Sequence, residues 1–387
     1  KLTAILSCML LCTASCLQVN AESTAAVPGE LPQTFSTASY YSQYLEAHTG
    51  GSAVLEEITL LGREAVGLTG DATISAAHPG ESGATLLMPQ GSEASWTVTA
   101  KHSGLYAMAI RYLPAEGNGG TIERVLLVDG TLPYREAEFL TFPRFFTDDI
   151  AGDSFDQDYH GNDIKPAQKE VRRWVKSDVK DPLGYTSGAM QLYLSEGTHT
   201  ITLQAAREPM VIDYIRLYQA QENISYQERL QEYQSEGYQK QEQSLPLIQA
   251  ERPLVKSDPS IAVLTDRSSA YDQPQSAAVN LINTIGADKW QGVGQSLTWE
   301  VVVPESGLYR IGLRARQNIL SGSVSGRKLL IDGEVPFKEA GDLSFSYSSD
   351  FQKEYLGDEA NGDYYFYLSE GRHEITLETV LTGTMAG

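Results

Sequence analysis

A long internal repeat limits, more strongly than any other feature, what this chain can fold into. Residues 94–137 align without a gap with residues 297–340, and equivalent positions are always separated by the same number of residues. Trp299 follows Trp96 by 203 residues (299 − 96 = 203), and Glu339 follows Glu136 by the same number (339 − 136 = 203). The sequence therefore predicts two copies of one folding unit, built from the same elements.

The repeated unit has the residue pattern of β-strands. Apolar side chains stand at alternate positions in both copies, at Tyr106, Met108 and Ile110 and again at Tyr309, Ile311 and Leu313. Such alternation buries one face of a strand and leaves the other face in solvent. A Ser-Gly dipeptide, at 103–104 and at 306–307, separates each of these strands from the strand that carries the Trp. We expect the two strands to pair as a hairpin.

Two further segments recur in both copies. Apolar runs end in Asp-Gly at 129–130 and 332–333, which predicts a tight turn because Gly accepts a positive φ. The sequence LYLSEGTHTITL at 192–203 is matched by FYLSEGRHEITL at 366–377, at an offset of 174 residues (370 − 196 = 174). The first copy therefore holds 29 additional residues (203 − 174 = 29). The predicted fold class is all-β, with two tandem β-sandwich domains.

Short amphipathic segments precede both copies. Tyr41, Tyr44 and Leu45 have helical spacing, and so do Tyr226, Leu230 and Tyr233. The closing strand PMVIDYIRLY of the first copy has no counterpart after the second, which is expected to be incomplete. The predicted organisation is a signal peptide (1–21), a tether with a short helix (22–52), a first β-sandwich (53–218), a helical connector (219–246) and a second β-sandwich (247–387).

The first residues form a short apolar run behind Lys1, which is the pattern of a secretory signal. Two processing routes remain open: cleavage after Ala21, or lipidation of Cys16 as in a bacterial lipoprotein. All three cysteines lie in this segment, so the remainder of the chain has no disulfide. We expect an extracellular protein that is either secreted or attached to the cell membrane as a lipoprotein.

Composition and motifs exclude several functions. A formal charge of −21 and a pI near 4.7 argue against nucleic acid as a partner, because phosphates require Lys and Arg neighbours. The six His residues are scattered, and the sequence contains no HExxH, no GxSxG and no Gly-rich phosphate loop. The sequence therefore predicts a protein that is not an enzyme.

The inserted residues of the first copy supply the candidate ligand-binding residues. Segment 147–174 is long, irregular and rich in Asp, and it contains Tyr159, Asn162, Asp163 and Trp174. Aromatic rings beside amides and carboxylates suit a sugar, whose apolar faces stack on rings while its hydroxyls form hydrogen bonds. The alternative is a loop that packs on its neighbour. In the second copy the corresponding candidates are Trp290, Gln317 and Asn318.

Other repeated residues are expected to be structural. Trp96 and Trp299 share strand faces with valines and are assigned to the core. Arg124 and Glu136 are separated by twelve residues (136 − 124 = 12), and Arg327 and Glu339 repeat that spacing (339 − 327 = 12). Because the Asp-Gly turn lies between them, an ion pair across the hairpin is predicted in each copy.

With these residues in view, both copies resemble the galactose-binding-like jelly rolls of carbohydrate-binding-module families 6 and 35. The likeness rests on SGLY and ESGLYRI, on LLVDG and LLIDG, on LSEGTHTITL and on VIDYIRLY. The resemblance implies a structural calcium ion held by a first-strand Glu-x-Glu and an Asp of the last strand. Glu64 and Asp213 match those positions, whereas Gly62 departs from the pattern.

The chain after the signal also resembles the N-terminal region of bacterial extracellular solute-binding proteins of carbohydrate ABC transporters. The matching segments are GNDIKPAQKE, LSEGTHTITLQAAREP, LINTIGADKW, SGLYRIGLRARQN and RKLLIDGEVPFKEA. This resemblance implies non-catalytic binding of oligo- or polysaccharide, with a downstream solute-binding domain and a transporter permease as partners. The alternatives are a spacer or adhesion stalk that binds no sugar, and an accessory module of a polysaccharide-degrading enzyme.

Overall fold

The computed structural model describes residues 38–48 and 56–382, except for the single positions 153, 187, 270, 272 and 320. The predicted signal segment, including Cys16, lies outside the described residues. All described residues belong to one compact unit. Within them, no helix has the length and apolar character needed to span a membrane.

The first copy begins with helix α1 (Tyr41–Ala47) and continues as strands. The strands are β1 (Glu57–Leu61), β2 (Val66–Thr69), β3 (Thr73–Gly80), β4 (Gly83–Met88), β5 (Glu93–Ala100), β6 (Gly104–Pro114), β7 (Ile122–Val128), β8 (Leu140–Phe142), β9 (Phe146–Asp148), β10 (Gln168–Glu170), β11 (Val175–Asp178), β12 (Gln191–Leu194), β13 (Gly197–Arg207) and β14 (Met210–Tyr218). Short 3-10 helices cover Gly62–Glu64 and Arg135–Glu138.

The second copy begins with helix α2 (Tyr226–Ser235). Its strands are β15 (Val255–Lys256), β16 (Val263–Leu264), β17 (Thr284–Ile285), β18 (Ser296–Val303), β19 (Gly307–Tyr309), β20 (Gly312–Ala315), β21 (Val324–Ile331), β22 (Leu343–Ser346), β23 (Gln352–Tyr355), β24 (Gly357–Asp358), β25 (Gly362–Asp363), β26 (Phe366–Leu368) and β27 (Gly371–Val380). Short 3-10 helices cover Ala287–Lys289 and Lys338–Gly341.

One sheet has the same strand order in both copies. It runs β2-β5-β13-β7-β8 in the first copy and β15-β18-β27-β21-β22 in the second. All pairs are antiparallel, and the Asp-Gly dipeptide forms a tight turn with positive φ after β7 and after β21. Together with the short helix before each copy, this confirms the predicted all-β sandwich class.

The predicted hairpin between the Trp strand and the Tyr strand is wrong. The Trp strand β5 lies in the five-stranded sheet beside β2 and β13, whereas β6 lies in the opposite sheet beside β14. The Ser-Gly dipeptide at 103–104 therefore carries the chain from one sheet of the sandwich to the other. The physical reason is that alternating apolar residues only show which face of a strand is buried. The same alternation arises when two strands pair in one sheet and when they face each other across a core.

The second sheet differs between the two copies. In the first copy it has seven strands in the order β11-β6-β14-β4-β3, with β1 also paired to β14 and β12 also paired to β6. In the second copy the strands at the same places in the chain form separate pairs, β19-β26, β20-β23 and β16-β17. The second sheet is thus continuous in the first sandwich, whereas in the second sandwich it is divided into three separate strand pairs.

The core reflects this difference. The first sandwich encloses one large apolar cluster that includes Trp96, whereas the main cluster of the second is smaller. Trp96 is buried and Trp299 is half-buried, each packed against its core. The indole N–H of Trp96 donates to the carbonyl of Leu61, and that of Trp299 donates to the carbonyl of Ala250, both over 2.9 Å.

The predicted ion pairs between Arg and Glu are also wrong. Arg124 is fully buried and donates to the backbone carbonyls of Glu123, Arg207 and Glu208, while Glu136 accepts from the backbone N–H of Tyr41 over 2.9 Å. The second copy repeats this: Arg327 donates to the carbonyls of Gly326 and Trp290, and Glu339 accepts from the N–H of Tyr226 over 2.8 Å. The reason is that backbone carbonyls at the strand ends satisfy the buried guanidinium in each copy. The carboxylate instead accepts from an N–H group at a helix start, which has no partner within the helix.

A sheet also passes from one sandwich to the other. Strands β9 and β10 of the first copy continue the sheet of the second, because Phe146 pairs with Lys256 on β15. Beside this junction the Lys256 ammonium lies 2.8 Å from the Asp148 carboxylate, and their side chains are 0% and 4% exposed. The two sandwiches therefore share backbone hydrogen bonds and a buried ion pair.

Candidate functional site

An arginine stacked on an aromatic ring stands on the outer face of the first sandwich. Trp174 directly precedes β11, which pairs with β6, and Arg111 projects from β6 so that its guanidinium carbon lies 4.8 Å from the centre of the Trp174 ring. Arg111 also contacts the carboxylates of Asp213, over 2.6 Å, and Glu81, over 3.1 Å. The Trp174 ring remains partly exposed.

Asp213 is the buried anchor of this site. Its carboxylate accepts from the backbone N–H groups of Glu81 and Ser82 and from Arg111. A side chain at Gly80 would overlap that carboxylate, so only glycine allows the loop to close over it. Burial raises the pKa of Asp213, but the hydrogen bonds from Ser82, Glu81 and Arg111 lower it by more. The pKa of Asp213 therefore lies below its ordinary value, and the ionised carboxylate is favoured.

The residues that the resemblance assigns to calcium do not fit a calcium ion here. The guanidinium of Arg111 already neutralises Asp213, and Glu64 is exposed on the 3-10 helix Gly62–Glu64. Across the described part of the chain, no three His, Cys, Asp or Glu side chains are grouped as they would be to hold a metal. Calcium prefers six to eight oxygen ligands and no neighbouring cation.

The second sandwich repeats the stacked arginine. Arg314 stands 203 residues after Arg111 (314 − 111 = 203), and its guanidinium carbon lies 5.1 Å from the centre of the Phe351 ring. Phe351 directly precedes β23, which pairs with β20, in the same way that Trp174 precedes β11. Arg316 approaches the same ring at 4.4 Å. No sequence signal marks Phe351, because its surroundings, SSDFQKEY, share no motif with RRWVKSD around Trp174.

More exposed aromatic residues contact the arginines of this part of the second sandwich. Tyr355 lies across Gly312, where a Cβ atom would come within 3.1 Å of its ring, and the Arg310 guanidinium carbon is 4.3 Å from its centre. Arg310 also pairs with Asp363 over 2.7 Å. The side chain of Tyr271 is exposed, and its backbone carbonyl accepts from Arg314 over 2.8 Å. Flat apolar rings thus alternate with guanidinium and carboxylate groups on one surface.

The candidates of the inserted segment have different surroundings. Asn162 accepts from the backbone N–H of Asn280 over 2.9 Å, and Asp163 accepts from the N–H of Ile282 over 2.8 Å. Both residues therefore bind the second sandwich. Tyr159 is 91% exposed, and its ring centre lies 3.7 Å from that of His160.

The candidates of the second copy are likewise spread over different places. Trp290 packs against the second core, beneath the Arg327 guanidinium at 4.4 Å. Gln317 closes a turn by donating to the carbonyl of Ser323 and accepting from the N–H of Ile319. Asn318 is exposed. Of the predicted ligand-binding residues, Trp174 is the one whose described contacts place it under a stacked arginine, the arrangement that both copies share.

Comparisons with known proteins give structural likeness only. No family model matches the chain, and no curated protein matches it. A family 35 carbohydrate-binding module from Clostridium thermocellum is similar at 16% identity over 43% of this chain and 99% of that one, with a TM-score of 0.25. A carbohydrate-binding module of the Cellvibrio mixtus lichenase 5A, in complex with cellotriose, is similar at 13% identity over 42% and 98%, with a TM-score of 0.23. The Podospora anserina GH26-CBM35 β-(1,4)-mannanase is similar at 16% identity over 47% and 35%, with a TM-score of 0.25.

Proposed function

We propose that this chain is a non-catalytic carbohydrate-binding region that holds sugar at the two stacked-arginine sites, Arg111 with Trp174 and Arg314 with Phe351. The observation that carries the proposal is the presence of an arginine over a partly exposed ring at the same place in both copies. Packing in a core would explain why both copies keep an apolar residue at one position. It does not explain why both copies keep an arginine together with an aromatic ring on the outer face.

The chemistry of these sites suits a sugar. The C–H face of a pyranose packs on an aromatic ring, and its hydroxyls accept from guanidinium N–H groups and donate to carboxylates. The first site offers Trp174 beside Arg111 and Glu81, and the second offers Phe351 and Tyr355 beside Arg310 and Arg314. Because the arginines are already held by carboxylates or carbonyls, they are oriented before a ligand arrives.

Titration calorimetry of the full chain against a panel of plant and host polysaccharides tests the proposal. We expect weak binding to at least one polysaccharide, and Trp174→Ala and Phe351→Ala should each weaken it by about 2- to 10-fold, as expected for loss of one stacking ring. Phe139→Ala is the matched control, because Phe139 is an exposed ring outside both sites. All variants should retain the unfolding temperature of the wild type.

Two results would contradict this proposal. An absence of binding across the panel, with the fold intact, would favour the alternative of a spacer. Such a spacer is consistent with the use of Asn162 and Asp163 in holding the two sandwiches together. Binding that survives both ring substitutions would place the sugar on another surface.

In this proposal the chain serves carbohydrate uptake as part of a secreted or lipid-anchored solute-binding protein of an ABC transporter. The signal-like segment and the resemblance of GNDIKPAQKE and LINTIGADKW to such proteins support the context. An accessory role in a polysaccharide-degrading enzyme would use the same sugar sites. Metabolic labelling with a palmitate analogue, comparing wild type with Cys16→Ala, tests the lipid anchor: label lost in the variant supports lipidation at Cys16.

A further inference from the structure

The ring of the first stacked-arginine site lies on a segment that passes from one sheet to another. Strand β10 pairs with β9, which continues the sheet of the second sandwich, whereas β11 pairs with β6 of the first sandwich. Residues 171–174 connect β10 to β11, and Trp174 is the last residue of this connection. The position of the Trp174 ring therefore depends on both sheets.

The residue before Trp174 is bound to the second sandwich. The Arg173 guanidinium donates to both carboxylate oxygens of Glu374, over 2.7 Å and 2.8 Å, and Glu374 belongs to β27. Their side chains are 32% and 36% exposed, so the ion pair is partly shielded from solvent. Trp174 itself stacks under Arg111 of the first sandwich. Consecutive residues of one segment thus bind opposite sandwiches, and a displacement at Arg173 would move the ring.

The two copies differ at the position of Glu374. The equivalent residue of the first copy is Thr200 (374 − 174 = 200), which has no charge. Glu374 stands directly opposite Glu300 on β18, and two carboxylates in such positions repel each other. Arg372 of the same sandwich neutralises Glu300. Arg173 of the other sandwich neutralises Glu374. The second sandwich thus carries a carboxylate whose cation comes from the segment that holds the ring.

The second stacked-arginine site is held within its own sandwich, as far as the described contacts show. Phe351 precedes β23, which pairs with β20 of the same sandwich. The residue before it, Asp350, hydrogen-bonds through its backbone N–H and carbonyl to the hydroxyl of Ser348 in the same loop. The second site therefore serves as an internal reference for any effect that passes between the two sandwiches.

We propose that Arg173 and Glu374 are positioning residues of the first site, through which the second sandwich holds the Trp174 ring in its sugar-binding position. This inference rests on the proposed function, because it requires that Trp174 binds sugar. With the ion pair intact, the segment 171–174 is fixed at both ends. Without it, the ring occupies the binding position for a smaller fraction of the time, and the apparent affinity falls by that fraction.

Two single-site backgrounds of the full chain test this inference by titration calorimetry with soluble β-glucan, galactomannan and arabinogalactan. Phe351→Ala leaves the first site to bind sugar, and Trp174→Ala leaves the second. We expect Glu374→Gln to weaken binding about two- to fivefold in the Phe351→Ala background and to leave it unchanged in the Trp174→Ala background. Glu300→Gln is the matched control, because it removes the opposite carboxylate, whose partner lies in the same sandwich, and should change neither affinity.

A charge swap separates positioning from a loss of stability. Arg173→Glu should weaken binding in the Phe351→Ala background, and adding Glu374→Arg should restore it, because the ion pair is rebuilt in the opposite sense. Unchanged affinity in Glu374→Gln, or a double variant that binds no better than Arg173→Glu, would overturn this inference and leave the proposed function standing. No binding of any probe in the Phe351→Ala background would instead contradict the proposed function at Trp174, and this inference with it.

Discussion

A histidine bound to the Asp of the Asp-Gly turn is repeated in both copies. Asp129 has a φ of 49° and its carboxylate contacts His199 Nδ1 over 2.7 Å and accepts from the N–H of Thr200 over 2.8 Å. Asp332 contacts His373 over 2.6 Å and accepts from the N–H of Glu374 over 2.8 Å. The carboxylate thus ties the turn to the neighbouring strand.

These two histidines make stability depend on pH near neutrality. Burial lowers the pKa of His199 and of His373, but the hydrogen bonds with Asp129 or Asp332 and with a serine carbonyl raise it by more, so each pKa lies above its ordinary value. The folded state then binds the proton more tightly than the unfolded state. The stabilisation is complete below about pH 6.5, the ordinary pKa, and is lost as the pH rises through the folded pKa.

We therefore expect the unfolding temperature to fall between pH 6.5 and pH 9, and to fall less in the double variant His199→Gln with His373→Gln. Calorimetric scans at half-unit intervals measure both slopes. His160→Gln is the control, because His160 belongs to the inserted segment and has no part in either turn. Parallel slopes for wild type and double variant would contradict this account.

At the level of elements, each leading helix is fastened to its sandwich by the same two contacts. The backbone N–H of Tyr41 donates to Glu136, and the N–H of Tyr226 donates to Glu339. The hydroxyl oxygens of the same tyrosines accept from the N–H groups of Gln191 and Tyr365, over 2.8 Å and 3.0 Å. A carboxylate at a helix start satisfies an unpaired N–H and is favoured by the helix dipole.

The two carboxylates should contribute unequally. Helix α1 has no side-chain cap of its own, whereas Ser225 and Glu228 form a capping box at the start of α2. Glu136→Ala should therefore lower the free energy of unfolding by about 0.5–2 kcal/mol, and Glu339→Ala by less. Denaturant unfolding measures both, with Glu138→Ala of the same 3-10 helix as the control. A larger loss for Glu339→Ala than for Glu136→Ala would rule out this explanation.

Patterns local in sequence predicted the elements well, and contacts between elements less well. The alternation at Tyr106, Met108 and Ile110 predicted a strand, and the Asp-Gly dipeptides predicted the turns. Alternation does not show which strands are neighbours, so it does not distinguish a hairpin of the Trp and Tyr strands from two strands in opposite sheets. The twelve-residue spacing of Arg124 and Glu136 likewise gave no sign that Glu136 reaches a helix 95 residues away.

The candidate site shows the same limit. Trp174 was recognisable as an aromatic residue in an irregular, polar segment. Phe351 and the two arginines were not, because their association depends on β11 pairing with β6 and on β23 pairing with β20. The histidines had a usable signal: His199 and His373 differ by the same 174 residues as the segments around them (373 − 199 = 174).

At the level of the whole molecule, the inserted segment of the first copy joins the two sandwiches. Phe155 packs in one small core with Val263 and Ile282. Asn162 and Asp163 bind the backbone of residues 280–282, and Arg173 pairs with Glu374 over 2.7 Å. Asn162 and Asp163, which the sequence predicts to bind a ligand, thus bind the second sandwich. Its backbone offers the same hydrogen-bonding groups as a ligand would.

The buried ion pair of Lys256 and Asp148 should make the two sandwiches unfold together. Lys256 belongs to β15 of the second copy and Asp148 to β9 of the first, and no solvent reaches the ammonium. Asp148→Asn leaves that ammonium without its countercharge, which costs about 3–5 kcal/mol in comparable buried pairs. We expect one cooperative transition in wild-type calorimetry, and a lower, split transition in Asp148→Asn.

Two further variants separate this ion pair from simple loss of a contact. Replacing both partners, Asp148→Val with Lys256→Met, removes the unpaired charge and should recover most of the lost stability, because apolar residues of roughly similar volume often substitute for a buried pair. Glu300→Gln breaks the exposed pair with Arg372 and should cost only about 0–1 kcal/mol. A double variant as unstable as Asp148→Asn would show that packing around β9 and β15, and not the charge, joins the two sandwiches.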